Sequence, residues 1–364
     1  MSIMASIIIY LMTIIISVYS FYIVEKSQSK VKRIIGIFFA IGIPVFTAGV
    51  RYSIGTDYFS YINAFERIRM GYSVRWTDLE HGYVLLNLFL GQLGLGSQSI
   101  MFATSLLMMC FTSKALFNKQ KEISVWFGAL TFFLLFYQST FNGIRMMIAV
   151  SIFLYNIIDI ENQKLIKYLF FSALAASFHI TAIVTIPLYW IFNSRIIKKS
   201  LLSKLVLYLL TGLVIIYFNP IFSRILSTIN IPALNYYEKY IGFSSKSIDI
   251  AIKKFIMFLP ILMPGALFYK KCMEQDKNFY IYYSLMVMGV IIEALAIFKA
   301  SYVDRFAEYF IISSVIIIPV YLRVFKKKEY FMFITGMIYY LSLYWIYIYF
   351  ICNNHGTVPY QWIL

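Results

Sequence analysis

The chain has 364 residues, of which 61% are hydrophobic and only 13% are charged, and its formal net charge is +16. Soluble globular domains contain roughly a quarter charged residues, so this composition excludes an ordinary soluble enzyme and indicates a protein embedded in lipid. The net charge does not indicate nucleic-acid binding, because the basic residues stand in short clusters between apolar runs, which is the pattern of membrane topology.

The apolar runs predict membrane-spanning helices. A span needs about 20 apolar residues to cross about 30 Å of hydrocarbon, and runs such as 6–16 and 314–321 lack the alternation of a transmembrane β-strand. The predicted fold class is an all-α polytopic membrane protein of about twelve spans (range 10–13), with juxtamembrane helices on the outer face. The predicted spans are about 3–23, 34–50, 99–117, 124–139, 144–158, 168–180, 181–194, 204–219, 254–270, 279–298, 306–322 and 330–350.

Alternate connections between these spans carry the basic residues. The clusters lie at 26–33, 114–121, 164–167, 195–204, 270–277 and 323–328. The positive-inside rule assigns this side to the cytoplasm and both termini to the outside. If the short segment Tyr83–Leu95 crossed the membrane, the later basic clusters would lie outside, so we expect it to lie along the outer surface. The stretch 168–194 is too short for two full crossings and fits two short tilted helices or a re-entrant hairpin.

We therefore expect a single integral membrane domain over 1–364, with two large loops on the outer face. The first loop, 51–98, contains juxtamembrane helices, and the second, 219–253, is rich in Tyr, Ser and Asn. The N-terminus has no basic n-region, so the first apolar run reads as a retained span rather than a signal peptide.

The candidate functional residues begin with Arg51 and Asp57 at the outer end of the second span. Gly55 permits a tight turn, and Thr56 or Asp57 can cap the helix that follows. One reading is an interfacial anchor and a helix cap. The other is a carboxylate beside a cation, acting as a general base toward a sugar hydroxyl. Glu80 is either a second such carboxylate or a favourable charge at a helix N-terminus.

Asn142, Arg145 and His179 follow at the outer ends of later spans. Asn142 and Arg145 are three residues apart and share one helical face. Arg145 is either a snorkelling side chain or a pyrophosphate ligand. His179 lies at the apex of the short apolar hairpin, where its burial requires a partner, and it is either a packed histidine or a functional one.

Glu293 is the only acid well inside a predicted span. Intramembrane acids are functional candidates, although a structural pair with Lys299 or an arginine fits equally well. The pair Asp304-Arg305 either flanks the next span or joins Arg51 and Arg145 in a cluster that neutralises a lipid pyrophosphate. The sequence has no zinc spacing, P-loop, dinucleotide fingerprint or Ser-His-Asp order, so we expect no metal and no cofactor.

Taken in order, these motifs resemble the EpsG-type family of polysaccharide polymerases, relatives of the Wzy O-antigen and capsule polymerases. The resemblance covers essentially the whole chain, although the family pattern often has Gln where this chain has Met146. The matching pieces are Arg51…Gly55-Thr56-Asp57-Tyr58…Tyr61…Phe65, Glu80-His81-Gly82-Tyr83…Asn87, Asn142-Gly143-Ile144-Arg145…Ala149, Phe178-His179-Ile180-Thr181-Ala182, Arg305 and Val358-Pro359-Tyr360.

The resemblance implies a glycosyltransferase-C-like membrane fold in the bacterial plasma (inner) membrane, with an extracytoplasmic active site. It also implies a nucleotide-independent reaction in which a growing glycan on undecaprenyl pyrophosphate is transferred en bloc to a new lipid-linked repeat unit. The product would be a capsule, an exopolysaccharide or an O-antigen. The implied partners are the lipid-linked glycans, the bilayer and a chain-length regulator protein, and no nucleic acid.

Within this reaction we assign roles to the candidate residues. Asp57 is the expected base, Glu80 its alternative and His179 a hydrogen-bonding or proton-transfer partner. The expected pyrophosphate ligands are Arg51, Arg145 and Arg305. The further expected substrate contacts are Tyr58, Tyr61, Tyr83, Asn142, Tyr302 and Glu293.

Two other classes of function compete with this reading. A flippase or transporter of lipid-linked oligosaccharide suits twelve spans, but it should carry internal repeats and mid-membrane charges, and the polar residues here collect at one face. A membrane acyltransferase modifying the glycan would draw on a cytoplasmic acyl donor, and His179 lies on the other side.

Overall fold

The computed structural model describes residues 2–72, 80–219, 221, 224, 248–296, 303–325 and 327–363. Throughout this part of the chain the regular structure is helical, and one isolated antiparallel bridge joins Arg51 to Trp362. The described helices of the first half are α1 (Ile3–Lys26), α2 (Lys30–Gly49), α3 (Tyr58–Arg69), α4 (His81–Gln92), α5 (Ser99–Asn118), α6 (Val125–Phe132), α7 (Ile144–Glu161) and α8 (Leu165–Phe178).

The second half continues the helical pattern. Its described helices are α9 (Leu188–Asn193), α10 (Arg195–Lys199), α11 (Leu201–Ile216), α12 (Ile248–Leu267), α13 (Tyr269–Gln275), α14 (Phe279–Ala296), α15 (Asp304–Ile311), α16 (Ser314–Val324) and α17 (Lys327–Trp345). π-helical turns extend α6 through Phe133–Tyr137 and α17 through Ile346–Ile351. A 3-10 turn, Ile180–Thr185, precedes α9.

These helices confirm an all-α polytopic membrane protein. Seven of the described helices are long and apolar enough to cross a membrane, with α15 and α16 counted as one continuous segment, and four shorter apolar helices accompany them. Helix α7 has 18 residues but carries charged residues at both ends, so it is not counted among the seven. Each of the twelve predicted spans corresponds to one of these helices. Helices α3 and α4 have 12 residues each, too few to cross.

The stretch 168–194 forms a hairpin of two short legs. Helix α8 is the first leg, and the 3-10 turn with α9 is the second. The Tyr168 hydroxyl donates to the Thr185 carbonyl at 2.6 Å, and Asn156 of α7 donates to the Tyr168 carbonyl at 2.9 Å. These bonds join the two legs to each other and the first leg to α7, and His179 lies at the apex between the legs.

Contacts among the Lys- and Arg-rich connections bring them together at one end of the bundle, the basic end. Arg323 donates to the Ile123 carbonyl at 2.8 Å. Buried Lys119 lies 3.0 Å from a Glu161 oxygen and 2.8 Å from an Asp276 oxygen. The contacting residues belong to or adjoin four connections, 114–121, 164–167, 270–277 and 323–328, which were predicted to share one face.

The C-terminal tail closes over the opposite end. The Tyr10 hydroxyl donates to the Thr357 carbonyl at 2.8 Å, and the Tyr360 hydroxyl donates to the Thr47 carbonyl at 2.7 Å. The Tyr360 amide also donates to the Ser6 hydroxyl at 2.8 Å. The tail therefore fastens the parts of α1 and α2 that lie away from the basic end, and it forms part of the wall described next.

The second predicted outer loop, 219–253, lies mostly outside the described residues. Its last part is helical, because α12 begins at Ile248 rather than near residue 254. Lys253 and Lys254 therefore lie within the first two turns of a helix, and this placement brings both side chains to the cavity wall.

Candidate functional site

A cavity of about 710 Å³ opens at the end of the bundle opposite the basic end. Its walls come from the start of α3, the start of α7, the apex of the α8 hairpin, the first turns of α12 and α15, the end of α17 and the tail. The charged and polar side chains lining it are Asp57, Tyr61, Ser139, Asn142, Arg145, His179, Lys253, Lys254, Glu293, Asp304, Arg305, Glu308, Tyr344, Tyr347, Tyr349, Asn354 and His355. Residues far apart in sequence thus meet in one place.

Arg145 lies in the first turn of α7 and is held by an ion pair with Glu80. Its guanidinium carbon also lies 5.8 Å from the centre of the Tyr83 ring, within the range of a cation–π contact. The second Glu80 oxygen accepts the Ile180 amide hydrogen at 3.3 Å. Glu80 therefore connects α4, α7 and the hairpin apex, and it fixes the direction of Arg145.

His179 is 4% exposed and forms part of a chain of polar groups. Its Nδ1 lies 2.6 Å from the Thr181 hydroxyl, which lies 3.1 Å from the Tyr309 hydroxyl of α15. This chain gives the buried imidazole the partner that its burial requires. It also connects the hairpin apex to the helix that carries Arg305.

Asp57 precedes α3 and is positioned through its backbone. The Asn142 side-chain oxygen accepts the Asp57 amide hydrogen at 3.2 Å and the Thr56 hydroxyl hydrogen at 2.7 Å. The Asp57 side chain makes no capping bond to the helix, and the residue lines the cavity. The structure therefore does not show the side-chain helix cap that was one of the two interpretations of Asp57.

Two glycines permit these close approaches. Gly55 has φ +88°, and a Cβ there would lie 2.6 Å from the Phe141 carbonyl oxygen. A Cβ on Gly82 would lie 2.4 Å from the Ser177 hydroxyl and 2.8 Å from its carbonyl oxygen. Real Cβ atoms do not approach so closely, so these glycines let the Asp57 turn and the start of α4 reach α7 and the hairpin apex.

A second group of charges lines the part of the cavity formed by α12, α14 and α15. Lys254 of α12 pairs with Glu293. The sequence suggested either Lys299, which lies outside the described residues, or an arginine as the structural partner of Glu293. Asp304 and Glu308 lie one turn apart on α15. We call Lys254, Glu293, Asp304 and Glu308 the acidic wall. In the described part of the chain no three acidic, histidine or cysteine side chains are arranged to hold a metal ion.

Arg51 lies apart from the cavity, contrary to the role expected for it. Its guanidinium is 1% exposed, donates to the Ala48 and Phe141 carbonyls at 2.5 and 3.4 Å, and lies 4.7 Å from the centre of the Phe141 ring. Burial lowers the pKa of Arg51 to about 10, so it stays cationic at neutral pH. The Ala48 carbonyl in the last turn of α2 lacks a helical partner and takes up one donor, and the Phe141 carbonyl before α7 takes up another. This placement leaves the anchor reading of Arg51.

Some of the residues expected to contact substrate line the cavity and others do not. Tyr61, Asn142 and Glu293 line the cavity. Tyr58 donates to Gln98 at 2.7 Å, and Tyr83 is fully buried beneath Arg145, so neither is part of the wall. The remaining one, Tyr302, lies outside the described residues.

Four charged or histidine residues of the wall were not assigned to the site from the sequence. Glu308 was given no role, although its spacing of four from Asp304 places both on one helix face. Lys253 and Lys254 were assigned to a loop or its border. His355 was overlooked in the tail, and its ring lies 5.7 Å from the Tyr349 ring.

A family model describes most of this chain. The EpsG family model matches residues 34–362, a range that includes every described wall residue of the cavity. The chain belongs to the EpsG family. Comparisons with curated proteins and with solved structures give no match.

Membership of the EpsG family confirms the resemblance inferred from the motifs and indicates a polysaccharide polymerase role in a multi-pass membrane protein. In this EpsG-family protein the motif residues occupy two kinds of position. Asp57, Asn142, Arg145 and His179 border the cavity, whereas Arg51, Tyr58 and Tyr360 hold the surrounding frame together.

Proposed function

We propose that this protein polymerises undecaprenyl-pyrophosphate-linked oligosaccharide repeat units into a surface polysaccharide by en bloc glycosyl transfer. The observation that carries the proposal is the meeting of Arg145, Arg305 and Asp57 on one cavity. This cavity lies at the bundle end opposite the basic connections, which the positive-inside rule assigns to the cytoplasm. The active site would then face the extracytoplasmic side of the plasma membrane.

The two guanidinium groups suit the charge that develops on the leaving group. When the bond between the anomeric carbon and the pyrophosphate oxygen breaks, negative charge collects on the pyrophosphate. Arg145 and Arg305 would stabilise that charge, since guanidinium groups bind phosphate oxygens in pairs of hydrogen bonds. The Glu80 ion pair holds Arg145 in place before substrate binds, so little reorganisation is needed at the moment of reaction.

Asp57 would accept the proton of the attacking hydroxyl. In this step the hydroxyl oxygen of the acceptor sugar forms a bond to the anomeric carbon of the donor glycan. The bond to the pyrophosphate breaks and its electron pair leaves with undecaprenyl pyrophosphate, while the hydroxyl proton passes to the carboxylate. Asn142 holds the Asp57 backbone through the amide bond described above, so we assign it to positioning the base.

His179 would act as a hydrogen-bonding partner of the lipid pyrophosphate or the acceptor. Its hydrogen bond with Thr181 fixes the ring, and Tyr309 continues this chain of polar groups to α15. Arg305 lies one helical turn before Tyr309 on the same helix. The donor glycan is already activated by its pyrophosphate, so the reaction needs no nucleotide outside the cell. The binding energy of the lipid-linked substrate is available for orientation.

The test is glycan length in strains that carry Asp57→Asn or Arg145→Ala. We expect single repeat units to accumulate on the outer face, because repeat units still cross the membrane but are not joined. The matched control is Arg33→Ala, which removes an exposed arginine at the basic end and should leave chain length unchanged. Repeat units trapped inside would support the flippase reading, and unchanged chain length in both site variants would refute the proposed chemistry.

A further inference from the structure

We propose that His355 of the C-terminal tail carries the proton of the attacking hydroxyl away from Asp57. This inference rests on the proposed function and adds a second proton-transfer residue to it. The hydroxyl proton passes first to the Asp57 carboxylate, then to a ring nitrogen of His355, and the imidazolium releases it to water. The carboxylate is thereby regenerated, and it can accept the proton of the next hydroxyl.

The loop that carries His355 is docked on the turn that carries Asp57. The Gly55 amide donates to the Gly356 carbonyl at 3.0 Å. Asp57 follows Gly55 by two residues and His355 precedes Gly356 by one, and both line the cavity. Gly356 has φ +60°, and a Cβ there would lie 3.4 Å from the Thr56 Cγ2 atom, so a glycine suits this close approach. The two side chains therefore belong to adjoining parts of the cavity wall.

Further backbone bonds hold the tail in this position. The Tyr52 amide donates to the Gln361 carbonyl, and the Ile363 amide donates to the Val50 carbonyl, both at 2.9 Å. These bonds form the antiparallel bridge that joins the end of α2 to the tail. Because both sides of the contact are held by backbone groups, the loop keeps its place beside the turn without relying on the His355 side chain.

The Asn353 side chain fixes the shape of the loop itself. Its oxygen accepts the Thr357 and Val358 amide hydrogens at 3.0 and 3.3 Å, and its amide group donates to the Val358 carbonyl at 2.7 Å. The His355 ring lies inside this loop segment and packs against the Tyr349 ring, with 5.7 Å between the ring centres. The loop and one aromatic contact thus position the imidazole.

His355 differs from His179 in the use of its ring. The Nδ1 atom of His179 lies 2.6 Å from the Thr181 hydroxyl. The Nδ1 atom of His355 makes no hydrogen bond to any of the residues that the structure describes. Buried polar atoms are ordinarily paired, because an unpaired one costs free energy. An unpaired ring nitrogen on the wall of a substrate cavity points to a partner that the reaction supplies.

The charge state of the ring suits a proton acceptor. Burial lowers the pKa of His355, so the imidazole is neutral at neutral pH and keeps a lone pair for a proton. Histidine is the side chain that most often transfers protons in enzymes. When the proton moves from Asp57 to the ring, the regenerated carboxylate compensates the positive charge of the imidazolium.

The experiment is chemical rescue by free imidazole. Purified protein in liposomes receives lipid-linked repeat units, and release of undecaprenyl pyrophosphate is followed with and without imidazole. His355→Ala leaves space for free imidazole, whereas His355→Gln fills part of that space with a group that does not carry a proton. Asn353→Ala loosens the same loop but keeps the ring. Rescue isolates the imidazole, whereas a pH profile would combine it with Asp57 and the acidic wall.

The matched control is Gln361→Ala in the same tail. The Gln361 side chain is exposed, and the residue holds Tyr52 through its backbone carbonyl, which the substitution keeps. This variant should match wild type in rate and in melting temperature. It shows whether any change in the tail slows the reaction.

We expect both His355 substitutions to lower kcat roughly 100-fold, the lower range for loss of a general acid–base group, with the KM of the lipid-linked substrate within about twofold of wild type. Free imidazole should raise the rate of His355→Ala at least about tenfold. It should leave wild type and Asn353→Ala unchanged, because both already have the ring.

The results that overturn the inference are distinct from failure of the proposed function. If wild-type protein joins repeat units and His355→Gln keeps its kcat, His355 carries no proton and the proposed function stands. A folded His355→Ala protein that is slow and that imidazole does not restore leads to the same conclusion. If wild-type protein forms no polymer, the proposed function itself fails. Should His355→Ala lose its fold, His355→Gln decides: a lower kcat at unchanged melting temperature supports the inference.

Discussion

Arg145 and Glu80 form an ion pair between side chains separated by 65 residues of sequence. The pair brings the start of α4 to the start of α7, beside the hairpin apex that carries His179. Glu80 is not itself a wall residue of the cavity, so it acts on the chemistry through Arg145. On this geometry we propose that Glu80 positions Arg145 rather than acting as the alternative base.

The first prediction concerns that pair. Glu80→Gln should leave Arg145 present but misdirected, so polymer formation should fall roughly 10- to 100-fold, the range expected for loss of a charge-assisted hydrogen bond. Initial rates in membranes with lipid-linked repeat units provide the measurement. In a double-mutant cycle with Arg145→Ala, the second change should add little to the first. Fully additive losses would show that the two side chains act independently.

The second prediction concerns the chain from His179 to Tyr309. Thr181→Val removes the hydroxyl that lies 2.6 Å from the imidazole, and so leaves the buried ring without that partner. We expect about a tenfold loss of transfer rate, with the protein still folded. Thr181→Ser keeps the hydroxyl and should retain most of the activity. Equal rates for the Val and Ser variants would contradict the assigned role of His179.

The third prediction separates an anchor from a ligand at Arg51. Arg51→Lys removes the planar fork that reaches both the Ala48 and Phe141 carbonyls. We expect a lower melting temperature in detergent, with a KM for the lipid-linked substrate close to that of wild type. Arg145→Lys should show the reverse pattern, a raised KM with little change in melting. A raised KM for Arg51→Lys at unchanged stability would restore the pyrophosphate role.

The fourth prediction concerns the basic end. Lys119 is 3% exposed and contacts both Glu161 and Asp276. Lys119→Met leaves two buried carboxylates without their cation, and breaking a buried ion pair in this way costs about 3–5 kcal/mol. Thermal unfolding in detergent should show a large loss. The control Lys121→Met removes an exposed lysine and should change little. Similar melting of both variants would contradict the structural role.

Much of the fold was predictable because membranes impose strong rules. Hydrocarbon thickness suffices to locate the twelve predicted spans, each of which corresponds to a helix of the structure. The positive-inside rule predicts the alternation of their connections. The 13-residue segment after Glu80 was too short to cross, and α4 has the expected short length. The first residues of helices were harder to predict. Lys253 and Lys254 were placed in a loop or at its border, because the sequence does not show that α12 begins at Ile248.

The site was only partly predictable, for a physical reason. Sequence shows which residue types collect at the ends of spans, and four residues grouped on that basis, Asp57, Arg145, His179 and Arg305, line one cavity. Their roles stay predictions. The sequence does not show which polar groups are used by neighbouring backbone. Arg51 and Arg145 both lie at helix ends on the cavity side of the bundle, yet Arg51 is buried and donates to the Ala48 and Phe141 carbonyls, whereas Arg145 lines the cavity.

The central claim is that glycan transfer takes place at a cavity lined by Arg145, Arg305 and Asp57. The most direct measurement supplies purified protein in liposomes with undecaprenyl-pyrophosphate-linked repeat units and separates the products by size. We predict a ladder of longer lipid-linked glycans, one undecaprenyl pyrophosphate released for each new linkage, and loss of both products with Asp57→Asn. Movement of unlengthened repeat units across the bilayer, or a ladder that Asp57→Asn leaves unchanged, would contradict it.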